Sequence, residues 1–118
     1  MKNSQYRILQ VSDLHLLSSC EGSFLGTNPF ENFSGVMDLV KKDIQQNDVK
    51  LLIFTGDLSQ DYSAESYEHF CSVVKDIDAP IAWIPGNHDD LKIGQTILNL
   101  CNVKYKKTFI LNNWKFIF

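Results

Sequence analysis

Three short apolar runs constrain this chain most. Each ends in a polar cluster, and each is followed by a stretch of helical periodicity. "RILQVS" (7–12) is rich in branched apolar residues and predicts a mostly buried strand. "KLLIFTGD" (50–57) and "PIAWIPG" (80–86) predict a second and a third. Between the first two, Phe30, Phe33, Val36, Met37, Val40 and Ile44 fall on one helical face. Asn28 suits its N-cap, Pro29 the first helical position and Glu31 the capping box, and the helix should fade by Asn47. Ala64, Tyr67, Phe70, Cys71, Val74 and Ile77 line a second helix capped by Ser63. "DDLKIGQTILNL" predicts a third, with Ile93, Ile97 and Leu100 inward and Gly94 as a weak point. "KTFIL" and "WKFIF" flank Asn112-Asn113 as a hairpin. The order β-α-β-α-β-α-β-β predicts an α/β fold around a largely parallel sheet.

Length and charge narrow the function. A chain of 118 residues is enough for one small domain. A net charge of −3 supplies no basic patch and argues against a long nucleic acid as partner. No apolar stretch is long enough to cross a bilayer, and "MKNSQYRILQVSD" has no apolar signal-peptide core, so no membrane partner and a cytoplasmic setting are expected. Cys20, Cys71 and Cys101 are odd in number and widely spaced. They suggest neither a disulfide framework nor a cysteine-based zinc site, and Cys71 and Cys101 are expected as buried thiols.

The polar clusters are Asp13-Leu14-His15, Gly56-Asp57 with Asp61, and Gly86-Asn87-His88-Asp89. The C-terminal ends of parallel strands share one edge of the sheet, where open α/β folds bind ligands. Residues about 40 positions apart should therefore converge. Asp13 and His15 alternate around Leu14 and can point the same way if the segment is extended. With Asp57 and Asn87 they offer hard oxygens and an imidazole, which suits manganese, iron or zinc. A carboxylate such as Asp57 can bridge two cations. The glycines before Asp57 and Asn87 allow sharp turns close to a ligand. Each cluster alone reads as a turn or cap, but three on one edge favour a metal site. His69 is expected on the helix surface, and no serine-hydrolase or phosphate-loop motif is present. The long loop 16–29 lies near Asp13.

D-x-H (13–15), G-D-x-x-x-D (56–61) and G-N-H-D (86–89), in this order, resemble the calcineurin-like metallophosphoesterases. "RILQVSDLHL", "LGTNPFENF", "TGDLSQD", "SYEHF" and "WIPGNHDD" narrow the resemblance to the bacterial class III cyclic-AMP phosphodiesterases. It implies a four-layer αββα sandwich of which this chain carries the first βαβαβ half. It also implies two divalent transition metals (Mn, Fe or Zn). Asp13 and His15 would hold the first, Asp57 would bridge both and Asn87 would hold the second. His88 would contact the phosphate and assist the leaving oxygen, with Asp89 orienting it, and His15, Asp57, Asn87 and His88 would line the substrate.

The family carries further histidine ligands in a second half, including a late G-H-x-H, whereas this sequence has only His15, His69 and His88. Residues 1–118 are thus expected to be the N-terminal part of a single, apparently truncated domain, inactive without its missing C-terminal half. The activity implied for the complete enzyme is metal-dependent hydrolysis of a 3′,5′-cyclic nucleotide, cAMP to AMP. The alternatives are a metallophosphoesterase acting on a nucleotide pyrophosphate or phosphoprotein, or a non-catalytic remnant or binding module.

Overall fold

A computed structural model describes residues 5–118. Four strands, β1 (Arg7–Val11), β2 (Val49–Thr55), β3 (Ile81–Ile84) and β4 (Val103–Tyr105), form one all-parallel sheet in the order β1-β2-β3-β4. The connections are α1 (Pro29–Gln46), α2 (Ala64–Val74) and α3 (Leu91–Leu100). β5 (Thr108–Leu111) and β6 (Trp114–Ile117) pair as a separate antiparallel hairpin. β4 is the strand missing from the expected order. At three residues, "VKY" is too short for periodicity to reveal, and its pairing with β3 defines it.

Alternation along β2 sorts the core onto two faces. Leu52 and Phe54 join Phe33 and Met37 of α1, Phe70 of α2 and Leu98 of α3 in the main core. Leu51 and Ile53 point the other way, with Ala82 beneath Phe109 and Phe118 of the hairpin region. The helices thus cover one face and the hairpin shields part of the other. The hairpin's outer side leaves Ile110 and Ile117 exposed, and Trp114, on the Phe109 side, is exposed as well.

The caps follow the expected chemistry. The side chains of Asn28, Ser63 and Asp90 accept from the backbone N–H of Glu31, Ser66 and Ile93. Two helix faces differ from expectation. Val36 of α1 is exposed. In α3 the buried positions are Gly94 and Leu98, while Ile93 and Leu100 are exposed and Ile97 is only partly covered. Glycine is the reason: a Cβ at position 94 would lie 2.9 Å from Trp83 Cη2 and 3.1 Å from Tyr67 Cε1, so the helix meets the sheet through its backbone.

The expectation of buried thiols at Cys71 and Cys101 is corrected. The two form a disulfide between α2 and the C-cap of α3, with Cα atoms 5.8 Å apart. They are 30 residues apart in sequence, and only the packing of α2 on α3 brings them together. Cys20 is a free thiol. Among the described residues no helix is long and apolar enough to cross a membrane.

Gly94→Ala tests the packing of α3. Helix propensity alone gives a gain of about 0.8–1.0 kcal/mol, whereas overpacking costs about 1–3 kcal/mol. The expected net result is a lower urea midpoint, and a higher one would show that α3 has room against Trp83.

Candidate metal centre

The site lies where β1, β2 and β3 end. The parallel pairing of β1 with β2 continues beyond both strands. Asp13 N–H donates to Gly56 O (3.0 Å), His15 N–H to Asp57 O (2.9 Å) and Leu16 N–H to Leu58 O (2.9 Å). This run sets the first two polar clusters side by side. Ligand atoms of Asp13, His15 and Asp57 all lie within 4.8 Å of one another. Two donors at about 2.0–2.2 Å from one ion are at most about 4.4 Å apart, so small side-chain adjustments would close this set on a single cation. Two carboxylates and an imidazole suit a divalent transition metal.

Asp13 and His15 share a side for a different reason than alternation along an extended segment. The strand has ended at Val11, and both residues have positive φ, 59° and 52°, with Leu14 buried between them. Asp57 is also left-handed at φ 55°. Such conformations are uncommon for non-glycine residues and cost on the order of 1–3 kcal/mol each. All three members of the cluster carry this cost, which marks a backbone shaped to present side chains.

The glycines serve different needs. Gly56 has φ 97° and needs its conformational freedom. Gly86 needs space instead: a Cβ there would fall 2.2 Å from Asp57 Oδ1 and 2.6 Å from Asp57 N. The third cluster is thereby pressed against Asp57, and His88 N–H donates to Asp57 Oδ1 (2.9 Å). Asn87 stands exposed on this turn, its backbone oxygen accepting from Tyr62 Oη (3.3 Å). The His88 ring meets His15 edge-on at 5.7 Å and stacks with Tyr62 at 6.2 Å. Its Nδ1 is buried, with no hydrogen-bond partner among the described residues.

Asp89 makes other contacts than the orienting bond to His88 that the family resemblance implies. Its Oδ2 accepts from Gly86 N (2.9 Å) and Leu58 N (3.3 Å), and its Oδ1 from Ser59 N (3.0 Å) and Tyr67 Oη (2.9 Å). The carboxylate is occupied in tying the β2 and β3 loops together. Tyr67 Oη also accepts from Asp90 N (2.8 Å). Burial, then the Asp89 charge, pushes the Tyr67 hydroxyl far above its ordinary pKa, so it remains a donor. Tyr67 reads as a core residue in the sequence, and its periodicity carries no sign of this second task.

Asp61 stays outside the cluster. It accepts from Ser18 N (2.9 Å), Ser63 N (3.2 Å) and Ser63 Oγ (2.6 Å), fastening the long loop to the β2 loop. Burial alone would raise its pKa, but these bonds outweigh that and hold it below the ordinary carboxylate value. His69 is partly covered, and its Nε2 contacts Ser18 O at 2.8 Å on the same loop. A cavity of about 200 Å³ opens beside Asp13 and His15, walled by Phe24, Thr27, Pro29 and Phe33, so the 16–29 loop does border the site.

A family model, Calcineurin-like phosphoesterase, matches residues 6–117. The 3′,5′-cyclic adenosine monophosphate phosphodiesterase CpdA of Escherichia coli is 32% identical over 115 residues, covering 97% of this chain and 41% of the relative. A 3′,5′-cyclic-nucleotide phosphodiesterase of Nostoc is 37% identical over 110 residues, covering 93% and 41%. A probable cyclic nucleotide phosphodiesterase of Pseudoalteromonas is 40% identical over 92 residues, covering 76% and 34%. The chain therefore spans between about a third and two fifths of the length of these relatives.

Asp13→Gly separates function from fold. The Asp13 side chain is 63% exposed, and His15, at 3.6 Å, is its one ion-pair partner among the described residues. Glycine relieves the positive φ. The expected result is metal-free stability unchanged or raised by up to about 1 kcal/mol, with Zn²⁺ affinity in calorimetry lowered by about 10–100-fold or more. A marked loss of stability would show that Asp13 holds the fold instead.

Proposed function

The chain belongs to the calcineurin-like phosphoesterase family, and we propose that it forms the N-terminal part of a single domain that hydrolyses 3′,5′-cyclic nucleotides, cAMP foremost, at a dinuclear metal centre. The observation that carries this reading is the convergence of Asp13, His15 and Asp57 within 4.8 Å at the ends of β1 and β2. The names of the relatives support the substrate class.

In this reading Asp13, His15 and Asp57 hold one cation, and Asp57 with Asn87 contributes to a second. Divalent metals there supply polarisation of the phosphoryl oxygens and lower the pKa of water. The Asp57 carboxylate, which would bridge the two, accepts the His88 N–H at its Oδ1, and Gly86 leaves the space it occupies. His88 sits beside His15, and in this reading its imidazole would hydrogen-bond a phosphoryl or leaving oxygen and pass it a proton. Asn87 adds a ligand without charge, which leaves the site more attractive to an anion than a third aspartate would. Asp89 acts at one remove, holding the loops that carry Asp57 and His88. A soluble, cytoplasmic setting would fit a small cyclic-nucleotide substrate.

The test is manganese-dependent hydrolysis by the full gene product across cAMP, cGMP, a nucleotide pyrophosphate and a phosphopeptide. Cyclic nucleotides should be turned over fastest, and Asp57→Ala should lower kcat/KM by at least about 10²–10³-fold. Preference for the pyrophosphate or phosphopeptide would replace the substrate assignment. Undiminished turnover by Asp57→Ala would remove the bridging role.

A further inference from the structure

His15 has two faces in this site, and one of them is taken by Gln60, a position that the G-D-x-x-x-D motif leaves open. Its Nδ1 lies 2.8 Å from Gln60 Oε1, while its Nε2 points to the carboxylates, 3.6 Å from Asp13 Oδ1. Only the first distance is that of a hydrogen bond. The imidazole is further held by Phe24, which stacks on it at 5.2 Å with ring planes 26° apart. Gln60 is itself fixed, its backbone N–H donating to Leu16 O at 2.8 Å, one residue beyond His15.

We infer that Gln60 is a positioning residue for metal binding: its side-chain carbonyl accepts the Nδ1 proton of His15 and leaves Nε2 unprotonated, aimed at Asp13 and Asp57. A neutral imidazole carries one proton, so the nitrogen that keeps it cannot be a ligand. A bond from Nδ1–H to a carbonyl orients the ring and selects the tautomer that can take a cation on Nε2. With the amide turned round, an NH₂ would face Nδ1, drive the proton onto Nε2 and block the ligand position. The contact spans 45 residues and depends on the zippered β1 and β2 loops.

The inference rests on the metal reading proposed above, and two readouts separate the two. In metal-free protein with His15 in its neutral form, long-range proton–nitrogen correlation spectra should show the His15 proton on Nδ1. Zn²⁺ titration by calorimetry should then give an affinity roughly 10–100-fold weaker for Gln60→Met. Gln60→Glu, whose carboxylate still accepts from Nδ1–H, should restore both the tautomer and most of the affinity. Zinc uptake with the proton on Nε2, or Gln60→Met binding zinc as tightly as the wild type, would overturn the role of Gln60 alone. No zinc uptake by the wild type would overturn the metal reading and the positioning role with it.

Discussion

The parallel ladder between β1 and β2 does not stop where the strands stop. It runs on through Asp13, His15 and Leu16 against Gly56, Asp57 and Leu58. Ordinary loops leave strand ends with independent freedom. Here the backbone bonds hold the loops in register, so two acidic residues and a histidine from segments more than 40 residues apart face one point. The positive φ values of all three show that the register is maintained against local preference. Like charge adds to that cost, because among the described residues neither Asp13 nor Asp57 forms an ion pair with a Lys or Arg. A bound divalent ion would relieve it.

The third loop is attached by exclusion and by hydrogen bonds. Gly86 lets the β3 end press on Asp57, and Asp89 reaches across to the Leu58 and Ser59 amides. Tyr67 of α2 donates to the same carboxylate and receives the Asp90 N–H at the start of α3. The two helices are also joined by Cys71–Cys101. The chain of contacts thus runs from helix packing through Tyr67 and Asp89 to the residues beside the candidate metal.

Much of this was legible in the sequence because topology did the work. Apolar runs alternating with amphipathic stretches imply a parallel sheet, and a parallel sheet brings its C-terminal ends to one edge. Asp13, His15 and Asp57 followed from that alone. What escaped was whatever depends on tertiary packing. β4 exists through its pairing with β3, and the inward face of α3 is set by a glycine that hydrophobic periodicity does not count. The disulfide needs α2 against α3. Asp89 and Gln60 carry no periodic signal; three of the four partners of Asp89 lie 22–31 residues away, and His15 lies 45 from Gln60.

The central claim is that Asp13, His15 and Asp57 form one metal site. Anomalous diffraction from crystals of the protein grown with Mn²⁺ tests it most directly. The account predicts a manganese peak at about 2.0–2.2 Å from the His15 Nε2 and from a carboxylate oxygen of both Asp13 and Asp57. A full manganese complement with its peaks elsewhere, or coordination through His15 Nδ1, would contradict it.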